Sequence, residues 1–294
     1  MFKGCITAMI TPFNEKDEVD YKGLAQNVRF QVSNGVSGLI PLGTTGESPT
    51  ISEEERKRII ETVVSEARKV PVIVGTGTNS TEKTVKHSKQ AEDLGASAVI
   101  IVSPYYNKPT QEGLYKHFKA INDAISIPIV VYNIQGRTSV NIETPTLRRI
   151  AELENVVGVK EASGSIAQMM DVIEQLPEDF VVLSGDDNMT LPLMAVGGKG
   201  VVSVVSNLLP DMVSQMVQLA LDGDMEEARK LHYKLMPIFK GAFNETNPIT
   251  IKTAMRMSDM PAGKCRSPLC DMSPQNEEKL KAILKNYQQL KIVA

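Results

Sequence analysis

Short apolar runs alternate along this chain with longer stretches in which apolar residues recur every three or four positions. The runs fall at 5–10, 38–42, 72–74, 98–102, 129–132, 156–160, 180–183 and 201–205, and their length and β-branched content predict eight strands. The stretches between them predict helices. "SEEE" at 52–55 opens one with a reciprocal serine–glutamate cap, after which Ile59, Ile60, Val63, Val64 and Ala67 share one face. Thr144-Pro145 opens another, with proline at the first helical position, where no amide hydrogen is needed. "SIAQ" at 165–168 repeats the capping pattern.

Eight strand-then-helix units in succession place the chain in the α/β class and fit a (β/α)8 TIM barrel. A doubly wound parallel sheet uses the same right-handed units, so local pattern leaves it open. The count of eight, and the spread of chemically interesting residues over many strand ends, favour the barrel. Helical spacing continues past the last strand at 211–221, 225–239, 248–257 and 274–290. The first of these is the natural eighth barrel helix; the other three predict a C-terminal helical extension. The chain is accordingly divided into a catalytic barrel at 1–224 and a helical region at 225–294. It has no Gly-, Pro- or Ser-rich linker, no low-complexity tract and no sign of a second sheet.

Composition narrows the function classes. A chain of 294 residues buries a sizeable core without disulfides or metals. Its formal net charge is −3, with acids and bases interspersed, so it lacks the basic stripe of a nucleic-acid binder. Cys5, Cys265 and Cys270 form no CxxC pattern and read as reduced thiols. His87, His117 and His232 are too scattered for a metal-ligand set or a Ser-His-Asp triad. No window approaches the ~20 apolar residues of a membrane span, and the start of the chain lacks a signal-peptide pattern. The expectation is a cytoplasmic protein with no membrane or nucleic-acid partner.

In a barrel, chemistry sits at the carboxyl ends of the strands. Here those ends read Gly43-Thr44-Thr45-Gly46-Glu47, Gly75-Thr76-Gly77, Ser103-Pro104-Tyr105-Tyr106-Asn107, Tyr132-Asn133 running on to Arg137, Lys160, and Ser184-Gly185-Asp186-Asp187. Lys160 is the sharpest feature, because lysine is among the residues least often buried. Val157 and Val159 are expected on the opposite face, with Gly158 on the lysine's own face leaving room beside it. If that face is the barrel interior, the ammonium is partly desolvated; a neutral amine attacks a ketone to form a Schiff base. The plain alternative is a lysine held by Glu161 or another rim carboxylate. Tyr132 could end its strand only because its hydroxyl seeks water, or it could move protons during imine formation, with Thr44 and Tyr106 as further hydroxyls. Residues 43–47 can present amides and hydroxyls to a carboxylate as an anion nest, or be an ordinary turn. Gly197-Gly198-Lys199-Gly200 precedes a strand and so reads as a tight turn, not a phosphate loop. Met169 and Met170 read as core filler.

The segments "TAMITPF", "GTTGESPT", "VIVGTGTNST", "SPYYNKPTQEGLYKHF", "VVYN", "GRT", "VVGVKEASG", "LSGDD", "GGKGVVSV" and "ETNPITIKTA" follow one another in an order that resembles the dihydrodipicolinate synthase/N-acetylneuraminate lyase family of pyruvate-dependent class I aldolases. The resemblance spans essentially the whole chain. It implies a barrel assembled as a homotetramer, a dimer of tight dimers. It implies a Schiff base between Lys160 and pyruvate, no separate cofactor, and attack of the resulting enamine on aspartate 4-semialdehyde. Tyr132, Thr44 and Tyr106 match the family's proton relay, Tyr106 being lent across the tight dimer. Thr45 matches the residue beside the pyruvate carboxylate, and Arg137 the arginine that holds the aldehyde's carboxylate. Gly185 and Val202 match positions whose carbonyls line the site. The competing reading inside the family is an aldolase for 2-keto-3-deoxy sugar acids, which has no use for Arg137; outside enzymology it is a carboxylate-sensing barrel. Gln135 and Thr250 stand where the family usually has proline. Arg56 and Lys83 stand where lysine-inhibited members carry histidine or glutamate, and two cations repel a lysine ammonium. The expectation is weak or absent inhibition by lysine.

Overall fold

The computed structural model describes residues 2–287 and contains all eight predicted strands, their ends shifted by a residue or two. They are β1 (Gly4–Ala8), β2 (Gly38–Ile40), β3 (Ile73–Gly75), β4 (Ala98–Val102), β5 (Ile129–Asn133), β6 (Val156–Glu161), β7 (Val181–Ser184) and β8 (Gly200–Ser203). All pair in parallel, in the order β2-β1-β8-β7-β6-β5-β4-β3. The doubly wound alternative fails because the two outer strands meet. Leu39 bridges Val72, and amides of Leu39 and Gly75 donate to Pro71 and Pro41 carbonyls, both at 3.0 Å. A ring of eight strands has no free edge.

Side chains divide by alternation. Ile6, Ile40, Ile73, Ile100, Val130, Leu183 and Val202 fill the barrel interior. Leu39, Val74, Val99, Val131, Val159 and Val182 face the helices outside. Those helices are α1 (Tyr21–Ser33), α2 (Glu53–Glu66), α3 (Thr81–Asp93), α4 (Gln111–Asn122), the single turn α5 (Gln135–Thr138), α6 (Thr144–Ala151), α7 (Ile166–Gln175), α8 (Thr190–Ala195) and α9 (Pro210–Leu221). In α2, Ser52 and Glu55 form the complete predicted capping box, a cap that typically stabilises by about 1 kcal/mol. Its buried Ile59, Ile60 and Val63 contribute roughly 1.5–3 kcal/mol each relative to exposure. Two helix starts differ from expectation. Glu143 is the cap of α6, which makes Pro145 its second residue. In α7 Ser165, the counterpart of Ser52, caps the Gln168 amide, but the Gln168 side chain donates to Asn141 and Glu161 instead of closing the box.

Beyond the barrel lie α10 (Met225–Gly241), α11 (Ile249–Met257) and α12 (Pro274–Leu284). They share one apolar cluster with Val201 of β8 and Val213 of α9, through Leu235, Phe239, Ile251 and Leu280. The last helix stops at Leu284, earlier than its apolar spacing predicts; positions 288–290 of the predicted helix lie outside the described residues. The packing of α11 against the barrel rim brings residues 246–252 to the carboxyl ends of the strands, where the chemistry gathers.

Candidate active site

Lys160 and Tyr132 are far apart in sequence but are register partners on adjacent strands β6 and β5. Both project into the barrel, and both are buried. The Lys160 Nζ lies 4.0 Å from the centroid of the Tyr132 ring, a cation–π contact. Among the described residues neither Lys160 Nζ nor the Tyr132 hydroxyl has a hydrogen bond, and no carboxylate pairs with the lysine. Glu161, the obvious partner, is turned away: it accepts from the Ser163 amide at 2.7 Å, Asn133 at 3.1 Å and Gln168 at 3.3 Å. Asp186 feels the lysine's charge, but burial is the larger effect and pushes its carboxyl pKa up.

The expected alternation along β6 fails at one place. The register slips between Ile129 and Val130 of β5, and Val157 packs with the interior cluster, not outside. A bulge adds one residue to one strand and flips what precedes it. Gly158 is needed for a different reason from the one expected. A Cβ there would sit 2.5 Å from the Val181 carbonyl oxygen, so the space belongs to β7 and not to the amine. Gly185 is the glycine that clears the lysine: a Cβ would meet Ala162 at 2.6 Å and Lys160 Cε at 3.2 Å.

Thr44 and Thr45 sit in the turn after β2. The amides of Gly46 and Ser48 close on the Gly43 carbonyl, and that of Glu47 on Thr44. The Thr44 and Thr45 amides have no acceptor among the described residues, so the nest is reduced to those two. Thr45 Oγ1 accepts from Asn247 Nδ2 at 2.9 Å. The Asn247 carbonyl in turn accepts from Arg137 at 3.3 Å, while its Oδ1 is buried without a partner. Arg137 is carried on α5. Gln135 is the first residue of that turn, a position that proline also favours. The Ser139 amide bonds back to the Gln135 carbonyl at 2.8 Å, so a helical turn holds the loop that proline would otherwise stiffen. Thr250 is likewise the second residue of α11, where its amide needs no helical acceptor.

A cavity of about 530 Å3 joins Lys160, Tyr132, Thr44, Thr45, Arg137 and Asn247. Val202 stands in the apolar layer below, paired with Ile6. Tyr106 does not join them. Its ring is 89 % exposed on a backbone with φ of 73°, while its neighbour Tyr105 lines the cavity. A second arm of the same cavity reaches Arg56, Lys83, His87 and Glu53. Arg56 is buried and donates to the Gly75 carbonyl and Ser48 hydroxyl, both at 3.0 Å. His87 bonds Glu53 at 2.8 Å; burial, then Arg56, holds its pKa down. Reading strand ends names Tyr105 without giving it a place on the wall, and it does not find Asn247. Asn247 arrives from the C-terminal helices, and its only sequence signal is the polar "TNP" before an apolar helix.

The family model for the Dihydrodipicolinate synthetase family matches residues 1–287. The chain is 51 % identical over 291 residues to the 4-hydroxy-tetrahydrodipicolinate synthase of Protochlamydia amoebophila, covering 98 % of this chain and 97 % of that one. It is 50 % identical over 288 residues to the enzyme of the same name from Methanocaldococcus jannaschii, covering 97 % and 99 %. The crystal structure of dihydrodipicolinate synthase from Aquifex aeolicus superposes with a TM-score of 0.96 at 46 % identity, covering 99 % of this chain and 100 % of that one.

Proposed function

The chain belongs to the dihydrodipicolinate synthetase family, and from that premise we infer that it is a lyase condensing pyruvate with L-aspartate 4-semialdehyde to 4-hydroxy-tetrahydrodipicolinate, the first committed step toward diaminopimelate and lysine. The observation that carries its chemistry is an interior lysine amine with no carboxylate partner, facing a cavity beside a tyrosine. The Lys160 amine attacks the pyruvate ketone, and loss of water leaves an imine. The imine withdraws electrons, so a methyl proton leaves and an enamine forms. The enamine carbon attacks the semialdehyde carbonyl, and the substrate's own amine then displaces Lys160 as the ring closes. The imine is the electron sink, so the reaction as read calls on no separate cofactor.

Each step moves a proton, and Tyr132 is the group beside the amine that can accept and return it. Thr44, on the same cavity, extends the relay. Tyr106, exposed on its own chain, suits the reading that it is lent to a second copy within a tight dimer of a homotetramer. Thr45 and the free amides of the turn suit the pyruvate carboxylate. Arg137, at the cavity mouth and tied to Asn247, suits the carboxylate of the aldehyde. Gly185 leaves space for the lysine stem, while Val202 lies in the apolar layer below the cavity and does not line it. No described helix is long and apolar enough to cross a membrane, and the reading places the enzyme in the cytoplasm. Rates with aspartate 4-semialdehyde and with 2-keto-3-deoxy sugar acids, measured side by side, test the substrate. Turnover of the sugar acids alone contradicts the assignment.

A further inference from the structure

Behind the Thr44–Thr45 turn lies a charge pair that the condensation does not use directly. Lys252 of α11 and Glu47 at the end of the turn are 2.8 Å apart, with side chains 0 % and 1 % exposed. Both are fully engaged. Lys252 also donates to the Lys264 carbonyl at 2.7 Å and lies 4.2 Å over the Phe13 ring. The other Glu47 oxygen accepts from the Arg266 amide at 2.8 Å. Glu47 makes these bonds from a left-handed backbone, φ 54° and ψ 36°, a conformation that costs a non-glycine residue. Its amide donates to the Thr44 carbonyl at 3.1 Å, so the conformation held at Glu47 sets where the two threonines point.

The same C-terminal segment touches the turn a second time, through Asn247 Nδ2 on Thr45 Oγ1. That bond occupies a lone pair of the hydroxyl and leaves its proton free to be donated. Stability alone does not account for the ion pair, because a buried pair is often no more stabilising than well-packed apolar residues of the same size.

We propose that Glu47 and Lys252 are positioning residues, through which α11 fixes the turn so that the Thr44 and Thr45 hydroxyls meet the keto acid. The inference rests on the reading of Lys160, Thr44 and Thr45 given above. Neither Glu47 nor Lys252 touches substrate in it; they act through the turn. It also gives the helical extension a part in catalysis that burial of an apolar face does not require.

The test uses the full-length enzyme with Lys252→Met, Glu47→Gln, the double variant and Glu47→Asp. Borohydride trapping at increasing pyruvate, read by intact mass, gives the half-saturating concentration, and thermal melts give Tm. Each charge-removing single leaves a buried group unpaired and lowers Tm, and the double variant recovers much of that loss. The half-saturating pyruvate concentration rises roughly 10- to 100-fold in all of them, including the double. Glu47→Asp keeps the charge but shortens the arm by a methylene, so it shows the same rise in a folded enzyme even if the others fail to fold. Wild-type pyruvate dependence in the double or in Glu47→Asp overturns the inference. A wild-type enzyme that traps no pyruvate overturns the reading beneath it, and the inference with it.

Discussion

Among the described residues two lysines are buried against aromatic faces, one inside the barrel and one beneath α11. Lys160 lies 4.0 Å from the Tyr132 ring and Lys252 4.2 Å from the Phe13 ring. Lys252 has a carboxylate and a carbonyl on its amine. Burial, the larger effect, still holds its pKa below the usual lysine value, with Glu47 pulling it back. Lys160 has neither partner, and its amine opens on a cavity. Burial therefore does not separate the proposed nucleophile from the paired cation. What distinguishes them is the absence of a neutralising partner together with space for a ketone.

The sharpest way to break this comparison is to remove each lysine in turn. Lys160→Ala is expected to reduce condensation to background while Tm stays the same or rises, since a buried amine without a hydrogen-bonded or carboxylate partner is lost. Lys252→Ala is expected to do the reverse in emphasis, lowering stability by about 3–5 kcal/mol. Equal loss of activity in both, at equal Tm, would erase the distinction. Tyr132→Phe keeps the ring under the amine but removes the hydroxyl. It is expected to lower kcat about 100- to 10,000-fold with little change in pyruvate KM, as steady-state kinetics will show.

A buried histidine shows what burial does without a partner charge. His117 is 3 % exposed, bonded only to Thr81 at 2.9 Å, and burial pushes its pKa down to about 4. A depressed folded pKa means the unfolded chain binds the proton more readily. The stabilisation is therefore present above the unfolded histidine value near 6.5 and lost as pH falls from there through about 4. The expected loss is on the order of 3 kcal/mol, and denaturant melts from pH 7 to 4 on wild type and His117→Phe will show whether the slope disappears with the imidazole. Arg137→Ala is expected to raise the KM for the aldehyde roughly 10- to 100-fold and leave pyruvate trapping intact. The smallest expected effect concerns free lysine, a third amine offered to the second arm of the cavity. Arg56 and Lys83 line that arm, and its carboxylate, Glu53, is already engaged by His87 at 2.8 Å and Lys86 at 3.5 Å. An inhibition titration is expected to show no effect at submillimolar lysine.

Local pattern made the barrel legible, because strand runs and helical faces are set by residues a few positions apart. Lys160, Tyr132, Thr44, Thr45 and Arg137 were legible for a related reason: in a barrel every strand end arrives at one rim. What was not legible depended on contacts between distant strands or segments. The slip in register that turns Val157 inward belongs to the pairing of β5 with β6. Gln168 leaves its own helix cap because Asn141 and Glu161 are within reach. Asn247 and Lys252 reach the turn at 43–47 from some 200 residues further along the chain, which no spacing rule anticipates. Tyr106 is exposed and does not line its own cavity, which a strand-end position does not reveal.

The central claim is that the unpaired amine of Lys160 captures a keto acid. Incubating the wild-type enzyme with pyruvate and borohydride, then mapping the modified peptide by mass spectrometry, tests it most directly. The account predicts a single reduced adduct on the peptide carrying Lys160, lost in Lys160→Ala. An adduct on Lys252 or elsewhere, or none at saturating pyruvate, contradicts it.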